Sequence, residues 1–280
     1  MTDTKQLKCA VCAVIRLENQ YVREWVEYYK KLDFDKIILY DNNSLNEDKL
    51  SDVIGDYIDS GFVDVIPYAD KEVFQIIAYD DCLSRYNDIY DWIAFFDLDE
   101  FLTFTECSTI KEYLSKFNNH IDSISFQWMI FDDNDLVYYE DKPCLERFTR
   151  PIDYKKCFQY NYPENDHVKI MVKCKQNKLI NFKGTGHPHG CIGAKYPVYA
   201  DGTQNKTPKS WSNHNQIYDL AYLKHFYMKT IDEYVRFKLK RGHPDVKRNI
   251  FNERHDINKF FKLNKKTPEK LEYIKKLKDD

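Results

Sequence analysis

The sequence predicts an α/β protein with a mostly parallel central sheet flanked by helices, followed by a mixed α+β elaboration. Three observations predict it. Over roughly the first hundred residues, short apolar runs alternate with stretches of helical periodicity. The runs are apolar on both faces, as strands covered by helices on both sides are. The connections between them are short, as β-α-β units require.

Residues 8–15 read as the first buried strand. Residues 18–31 follow as an amphipathic helix with Val22, Trp25, Val26 and Tyr29 on one face. Residues 36–40 form the second strand, stopped by the turn formers Asp41-Asn42-Asn43-Ser44. Leu50, Val53, Ile54, Tyr57 and Ile58 mark a second helix, with Gly61 where a left-handed C′ residue is expected. A third strand covers 62–66 and a third helix 72–86. Then comes Trp92-Ile93-Ala94-Phe95-Phe96-Asp97-Leu98-Asp99-Glu100-Phe101-Leu102, an apolar run that passes through acidic residues. A short helix is expected over 109–117 and a strand over 123–130, which ends in Phe131-Asp132-Asp133-Asn134-Asp135. Short strands are expected at 145–149, 167–174, 179–182 and 217–226. Residues 184–190 form a glycine-bounded loop and 200–215 a polar loop without periodicity. A helix is expected over 231–239, and a tail helix has Leu271, Ile274 and Leu277 on its apolar side.

Composition narrows the function classes. The net charge of −3 and the absence of a basic-aromatic groove motif argue against a nucleic-acid partner. The charge is unevenly spread: from Lys224 onward there are 17 Lys plus Arg against 9 Asp plus Glu, and before it 25 against 36. A basic C-terminal segment suits a phosphate-bearing ligand, peripheral contact with an anionic membrane surface, or simply a solvated helix. The first eight residues are polar, without a signal-peptide core, and no apolar run approaches the ~20 residues that span a bilayer. Eight scattered cysteines read as reduced thiols, and the expectation is a cytoplasmic protein, peripheral at most to the inner membrane face. Cys9 and Cys12 have metal-ligand spacing, but residues three apart on a strand face opposite ways, so they read as core.

Asp97 and Asp99 are the chemically pointed pair. Burying ionised carboxylates costs several kcal/mol unless something pairs them. The carboxyl end of a strand in an open α/β sheet, where ligands sit, tolerates them. If the strand continues, residues i and i+2 point the same way and both reach one cation. A solvated turn is the alternative reading.

Several stretches together resemble a known family. They are Ile15-Arg16-Leu17-Glu18-Asn19 before Glu24-Trp25-Val26-Glu27-Tyr28-Tyr29, Leu39-Tyr40-Asp41-Asn42-Asn43-Ser44, and Phe95-Phe96-Asp97-Leu98-Asp99-Glu100-Phe101. Further on come Leu145-Glu146-Arg147-Phe148, Gly186-His187-Pro188-His189, His225-Phe226-Tyr227-Met228-Lys229-Thr230 and Lys238-Leu239-Lys240-Arg241-Gly242. In this order they resemble a GT-A-type glycosyltransferase of the family 2-like group related to family 92. The resemblance implies a nucleotide-diphosphate sugar donor, most commonly a UDP-sugar, a Mn²⁺ or Mg²⁺ ion, and transfer with inversion to a glycan or lipid-linked saccharide in surface polysaccharide biosynthesis. It also implies a nucleotide-sugar-binding half at 1–120, an acceptor-side and metal-completing half at 121–242, and a basic helical tail at 243–280.

Carried onto this chain, the resemblance makes Asp99 the first choice for metal contact, with Asp97 and His225 completing the site. Glu100 is expected to point to the other face, in a structural or supporting role. Arg16, Glu18, Asp41 and Asp97 would border the nucleotide and sugar, and Lys229 and Arg241 the phosphates. His187 and His189 would touch acceptor or diphosphate. The candidate general bases are Asp132, Asp133 and Asp135, on the acid-rich turn after the strand ending at residue 130, with Asp133 the choice among them. Two other functions share the fold. A sugar-nucleotide pyrophosphorylase would carry a glycine-rich loop where Arg16-Leu17-Glu18-Asn19 has no glycine. An inactive nucleotide- or glycan-binding relative would be expected to have lost an acidic residue of the set.

Overall fold

The computed structural model describes residues 7–43, 49–69, 75–152, 166–175, 180–213, 216–239 and 257–279. Strand β1 (Cys9–Ile15) is its axis, pairing in parallel with β2 (Lys36–Asp41) on one side and β4 (Trp92–Phe95) on the other. Strand β3 (Val63–Pro67) extends the sheet beyond β2, also in parallel. The chain therefore works outward from β1 through β2 to β3, then crosses back to lay β4 against the opposite edge of β1. That reversal is a topological switch point, and it opens a crevice at the carboxyl ends of β1 and β4.

Strand alternation explains why β1 carries so little polarity. Cys9, Val11 and Ala13 pack into a cluster with Trp25, Tyr29 and Phe96, while Ala10 and Cys12 enter the opposite cluster with Tyr79, Phe95 and Phe182. Cys9 and Cys12 thus face away from each other, and the seven cysteines of the described residues are free thiols.

Past β4 the sheet becomes mixed. Strand β7 (Val168–Lys173) runs antiparallel to β4 and to β6 (Ser123–Ile130). On the far side of β6, β8 (Pro197–Tyr199) pairs with Ser123–Ser125 and β9 (Ala221–His225) with Trp128–Ile130, both in parallel. Strand β5 (Glu100–Phe104) closes the order β3-β2-β1-β4-β7-β6-β9-β5, antiparallel to β9. The α/β class with a mostly parallel sheet is as expected.

Helix α1 (Asn19–Lys31) buries Tyr21, Val22, Trp25, Val26 and Tyr29, the apolar face its periodicity predicts. It also pins the backbone after β4. The Trp25 indole N–H donates to the carbonyls of Asp97 and Glu100, both at 3.1 Å, and the Tyr29 hydroxyl donates to Glu100 O at 3.0 Å. Helices α2 (Leu50–Asp59), α3 (Gln75–Tyr86) and α4 (Ile110–Ser115) follow as expected, and Gly61 adopts φ +73 behind α2.

Three local expectations are corrected. Where a strand was expected at 145–149, the chain forms the one-turn helix α5 (Cys144–Arg147). Its first N–H groups, those of Cys144 and Leu145, donate to the Glu24 carboxylate at 2.8 and 3.1 Å. Periodicity cannot register a capping group contributed by another helix. Of the strand expected at 179–182, residue 179 lies outside the described residues and the rest forms a single bridge between Asn181 and Ile192. In the tail helix Pro268–Asp279, Lys270 and Tyr273 are buried while Leu271 and Leu277 are 50% and 43% exposed. That helix packs with Phe260 of the helix Ile257–Leu263 against Met228, Ile231 and Tyr234. No helix of the described residues is long and apolar enough to cross a membrane.

A candidate metal and diphosphate site at the strand switch

Asp97 and Asp99 do not lie on a continuing strand. After Phe95 the chain turns, and the Glu100 N–H donates to Asp97 O at 3.0 Å, closing a turn over Asp97-Leu98-Asp99-Glu100. The alternation rule no longer applies, and the two aspartates part company. Glu100, expected on the other face, comes to the centre. It sits directly across from His225 in the β5–β9 ladder, and cross-strand partners project to the same side.

The result is a buried cluster of Asp99, Glu100 and His225, each offering one ligand atom, all within 4.8 Å of one another. Among the described residues it is the one such group of three. His225 Nε2 lies 3.2 Å from Asp99 Oδ1. Two polar atoms in the cluster, His225 Nδ1 and Glu100 Oε1, are buried without a hydrogen-bond partner. Buried polar atoms are rarely left so, and a bound cation would satisfy them. Two carboxylates and an imidazole suit a divalent ion such as Mn²⁺ or Mg²⁺ on the oxygen side, with nitrogen completing the set.

Positive charge gathers round Asp99. Lys238 Nζ stands 3.5 Å and Lys229 Nζ 3.9 Å from its Oδ2. Burial pushes the Asp99 carboxyl upward, but His225, Lys238 and Lys229 outweigh it and hold the group well below the usual carboxylate range. Burial drives Glu100 the other way, well above its ordinary value, reinforced by Asp97 and Asp99 and opposed by Lys169. Burial outweighs Asp99 at His225 and lowers its imidazole below the ordinary histidine value; metal ligation would require the neutral ring. Asp99, Lys229 and Lys238 line a small cleft together with Glu18, Tyr21 and Tyr227.

A second network fixes the basic residues in place. The Arg147 guanidinium donates two bonds to Glu233, at 2.8 and 3.0 Å, with both side chains buried. The Tyr21 hydroxyl donates to the same carboxylate at 2.7 Å, and Glu233 closes a capping box with Thr230. Burial presses the Glu233 carboxyl up, but Arg147 and the hydroxyls bring it below its ordinary value. From there the one-turn helix Ile231–Glu233 continues as a π-helix, Tyr234–Leu239, which presents Lys238. Lys229 packs over the Tyr21 ring at 4.4 Å with a left-handed backbone, φ +55.

Asp97 occupies a different setting. Its Oδ1 accepts from Gln75 Nε2 at 2.6 Å and from the Tyr79 hydroxyl at 3.2 Å, and Lys169 Nζ lies 2.8 Å away. Lys169 is itself fully buried, 3.9 Å from Glu100 Oε1. Asp97 is thus held by protein donors, with its side chain 33% exposed.

The other expected residues divide. Glu18 reaches the cleft, whereas Arg16 and Asp41 lie at the same sheet edge beside it, at the ends of β1 and β2. The Asp41 carboxylate accepts from the Asn43 N–H at 3.0 Å, and Asn43 in turn accepts from Leu17 N–H at 2.7 Å, tying down the loop that carries Arg16 and Glu18. His189 approaches through aromatic neighbours: its ring is 5.2 Å from that of Trp128, which lies 4.1 Å from His225. His187 packs 5.9 Å from His189, and burial keeps both imidazoles below the ordinary histidine value. Arg241 lies outside the described residues. Asp133 is not brought to the cluster. It is fully buried in an ion pair with Lys270 at 2.5 Å, and its N–H donates to Asn264 Oδ1.

Glu100, Lys169, Lys238 and Tyr21 escaped the sequence reading as site residues. Lys169 left a legible mark, a lysine within the apolar run Val168–Lys173. Glu100 left none, because only the turn geometry moves it to the cluster's side.

Comparison with known proteins finds one family over more than half of the chain. A model of glycosyltransferase family 92 matches residues 8–176. A family 92 protein of Oryza sativa subsp. japonica is 28% identical over 109 residues, 39% of this chain and 18% of that protein. A galactan β-1,4-galactosyltransferase of Arabidopsis thaliana is 29% identical over 122 residues, 41% of this chain and 24% of that protein. The chain thus spans under a quarter of the length of these relatives. Among solved structures, a mannosyltransferase of Pyrobaculum calidifontis in complex with GDP-Man and Mn²⁺ aligns over 44% of this chain and 36% of its own, at 10% identity and a TM-score of 0.35. With the family model matched across more than half of its length, the chain belongs to glycosyltransferase family 92.

Proposed function

We propose that the chain is the donor-binding and catalytic unit of a divalent-metal-dependent, inverting glycosyltransferase of GT-A type. Its donor is a sugar nucleoside diphosphate, with UDP as the first nucleotide to test, and its acceptor a hydroxyl of a glycan or lipid-linked saccharide. The observation that carries this reading is the Asp99, Glu100 and His225 cluster beside Lys229 and Lys238, in a chain of family 92. Relatives named as galactan β-1,4-galactosyltransferases support hexosyl transfer as the reaction class.

In the proposed step the acceptor oxygen bonds to the anomeric carbon as the bond from that carbon to the β-phosphate oxygen breaks. The electron pair leaves with the diphosphate, and the acceptor proton passes to a base on the opposite face. A bound Mn²⁺ or Mg²⁺ supplies charge that stabilises the departing diphosphate. Asp99, Glu100 and His225 would hold that ion. Lys229 and Lys238 give charge-assisted hydrogen bonds to phosphate oxygens. Asp97, oriented by Gln75, Tyr79 and Lys169, accepts from donor hydroxyls, and Arg16, Glu18 and Asp41 border the nucleoside. Asp133, sealed against Lys270, does not serve as the base.

The test is release of nucleoside diphosphate from a panel of nucleotide sugars with Mn²⁺, Mg²⁺ or a chelator. Release should require the metal and fall steeply in Asp99→Asn. Full turnover of Asp99→Asn, or failure of every nucleotide sugar to bind, overturns the reading.

A further inference from the structure

We propose that the ring surface running from His225 out to Trp211 is a binding site for a neutral oligosaccharide, the acceptor subsite of this enzyme. The inference deepens the glycosyltransferase reading and rests on it for the word acceptor; the saccharide site itself stands on the rings.

The rings pack in an unbroken series that begins at the candidate reaction centre and reaches solvent at Trp211. Trp128, on β6, packs 4.1 Å from His225, the residue that touches Asp99. Its other neighbour is His167, stacked at 5.0 Å and 11°. His167 meets Trp211 at 4.7 Å, and His189 abuts both Trp128 and His167, at 5.2 and 5.1 Å. Trp128 is buried, but Trp211 is 41% exposed.

Backbone bonds build this surface. The Trp128 N–H donates to His167 O at 3.0 Å, extending the β6–β7 ladder by one pair and bringing the two rings face to face. His167 then bridges antiparallel to Ser212, and the Val168 N–H donates to Trp211 O at 3.2 Å. Trp211 is therefore fixed to the end of β7 and held half open to solvent.

Its chemistry selects the ligand. Aromatic rings take up the C–H faces of sugar rings, and a Trp or His edge offers a polar atom to the hydroxyls around them. The indole N–H of Trp128 is buried without a hydrogen-bond partner, a group that a ligand hydroxyl would satisfy. Burial holds His189 well below the ordinary histidine value, which suits a neutral ligand beside it better than a phosphate.

Position separates this surface from the nucleotide. The strand order β3-β2-β1-β4-β7-β6 puts Arg16 and Asp41 on one side of β4, and Trp128, His167 and Trp211 on the other. A donor lying over β1 and β2 with its sugar at Asp99 leaves the β7–β6 side for the acceptor. Trp211, three ring contacts from His225, would meet a sugar unit remote from the reacting hydroxyl.

The test uses the full chain with Trp211→Ala and Trp211→Phe. The probes are β-1,4-galacto-, cello- and chito-oligosaccharides of one to five units. Saturation-transfer NMR without donor reads saccharide binding alone, and transfer kinetics read acceptor KM and donor KM separately. The expected result is binding of a trisaccharide or longer probe. Its KM should rise about fivefold to tenfold in Trp211→Ala, with recovery in Trp211→Phe and no change in donor KM or in KM for the monosaccharide. The proposal is overturned if wild type binds no probe, if Trp211→Ala binds all lengths like wild type, or if the donor KM rises instead, which would make the platform a nucleobase site. If saccharides bind but no nucleotide sugar is turned over, the ring surface stands as a saccharide site and the transferase reading falls.

Discussion

Asp99 and Asp133 are both buried aspartates placed just after a strand, and they meet opposite fates. Asp99 is shared among His225, Lys238 and Lys229 at 3.2, 3.5 and 3.9 Å and borders a cleft. Asp133 is matched to Lys270 at 2.5 Å with no exposure on either side chain, and Lys270 spends a further bond on Lys265 O at 3.1 Å. Positive charge outweighs burial at Asp99 and lowers its carboxyl, whereas burial outweighs Lys270 at Asp133 and raises it. Burial alone therefore does not mark a reactive carboxylate. Surplus opposite charge beside an opening does, because that surplus is available to an incoming anion.

The contrast breaks first on the Asp133 side. Asp133→Asn leaves the buried Lys270 ammonium only the more distant Asp135 carboxylate, at 3.8 Å, which should destabilise the fold by about 3 kcal/mol. Activity per folded molecule should be unchanged, and denaturant titration alongside a specific-activity assay checks both. A double variant, Asp133→Leu with Lys270→Met, should recover most of that loss. Asp99→Asn should do the reverse, lowering turnover by about 10²–10³-fold. Its urea midpoint should move less than that of Asp133→Asn, since Lys229 and Lys238 line the cleft. Lys238→Met should raise the donor KM by about tenfold through loss of one charge-assisted bond to phosphate. Acceptor KM measured in parallel would stay constant.

The smallest effect concerns pH. Burial, aided by Lys262, lowers Lys259 to about 8. Its folded value lies below the unfolded one, so between pH 8 and the ordinary lysine range the unfolded chain holds more protons and stability rises with pH. Below pH 8 the penalty is fully present. Lys259→Met should add on the order of 1 kcal/mol at neutral pH and flatten that rise, measurable by thermal melts across pH 7–10.

Much of the fold was legible because β1 to β4 are set by local patterns: apolar runs, the α1 stripe from Tyr21 to Tyr29, and Gly61 behind α2. Asp99 was legible for the same reason, as a carboxylate following an apolar run. His225 and Lys229 were reached through the resemblance, not through spacing. What stayed hidden was non-local. Glu24 turns residues 144–147 into a helix, Lys270 takes Asp133 away from the acceptor side, and Trp25 and Tyr29 hold the turn that brings Glu100 to Asp99. The Asp97–Asp99 spacing suggested a shared face on a strand, and a single turn hydrogen bond removed it.

The π-helix Tyr234–Leu239 carries a consequence for how this site tolerates changes in chain length. A π turn holds one residue more than the α turn it replaces, and such turns gather at functional sites. Each residue of an α-helix advances the side-chain direction by 100°, so α geometry over Tyr234–Leu239 would keep Lys238 in register only with one residue fewer, and at the present length it would carry Lys238 about one such step round. Lys238 would then swing off Asp99, while Glu233 stayed locked to Arg147. Between two anchored ends, the register of a single helical turn sets whether a cation faces Asp99 or faces away.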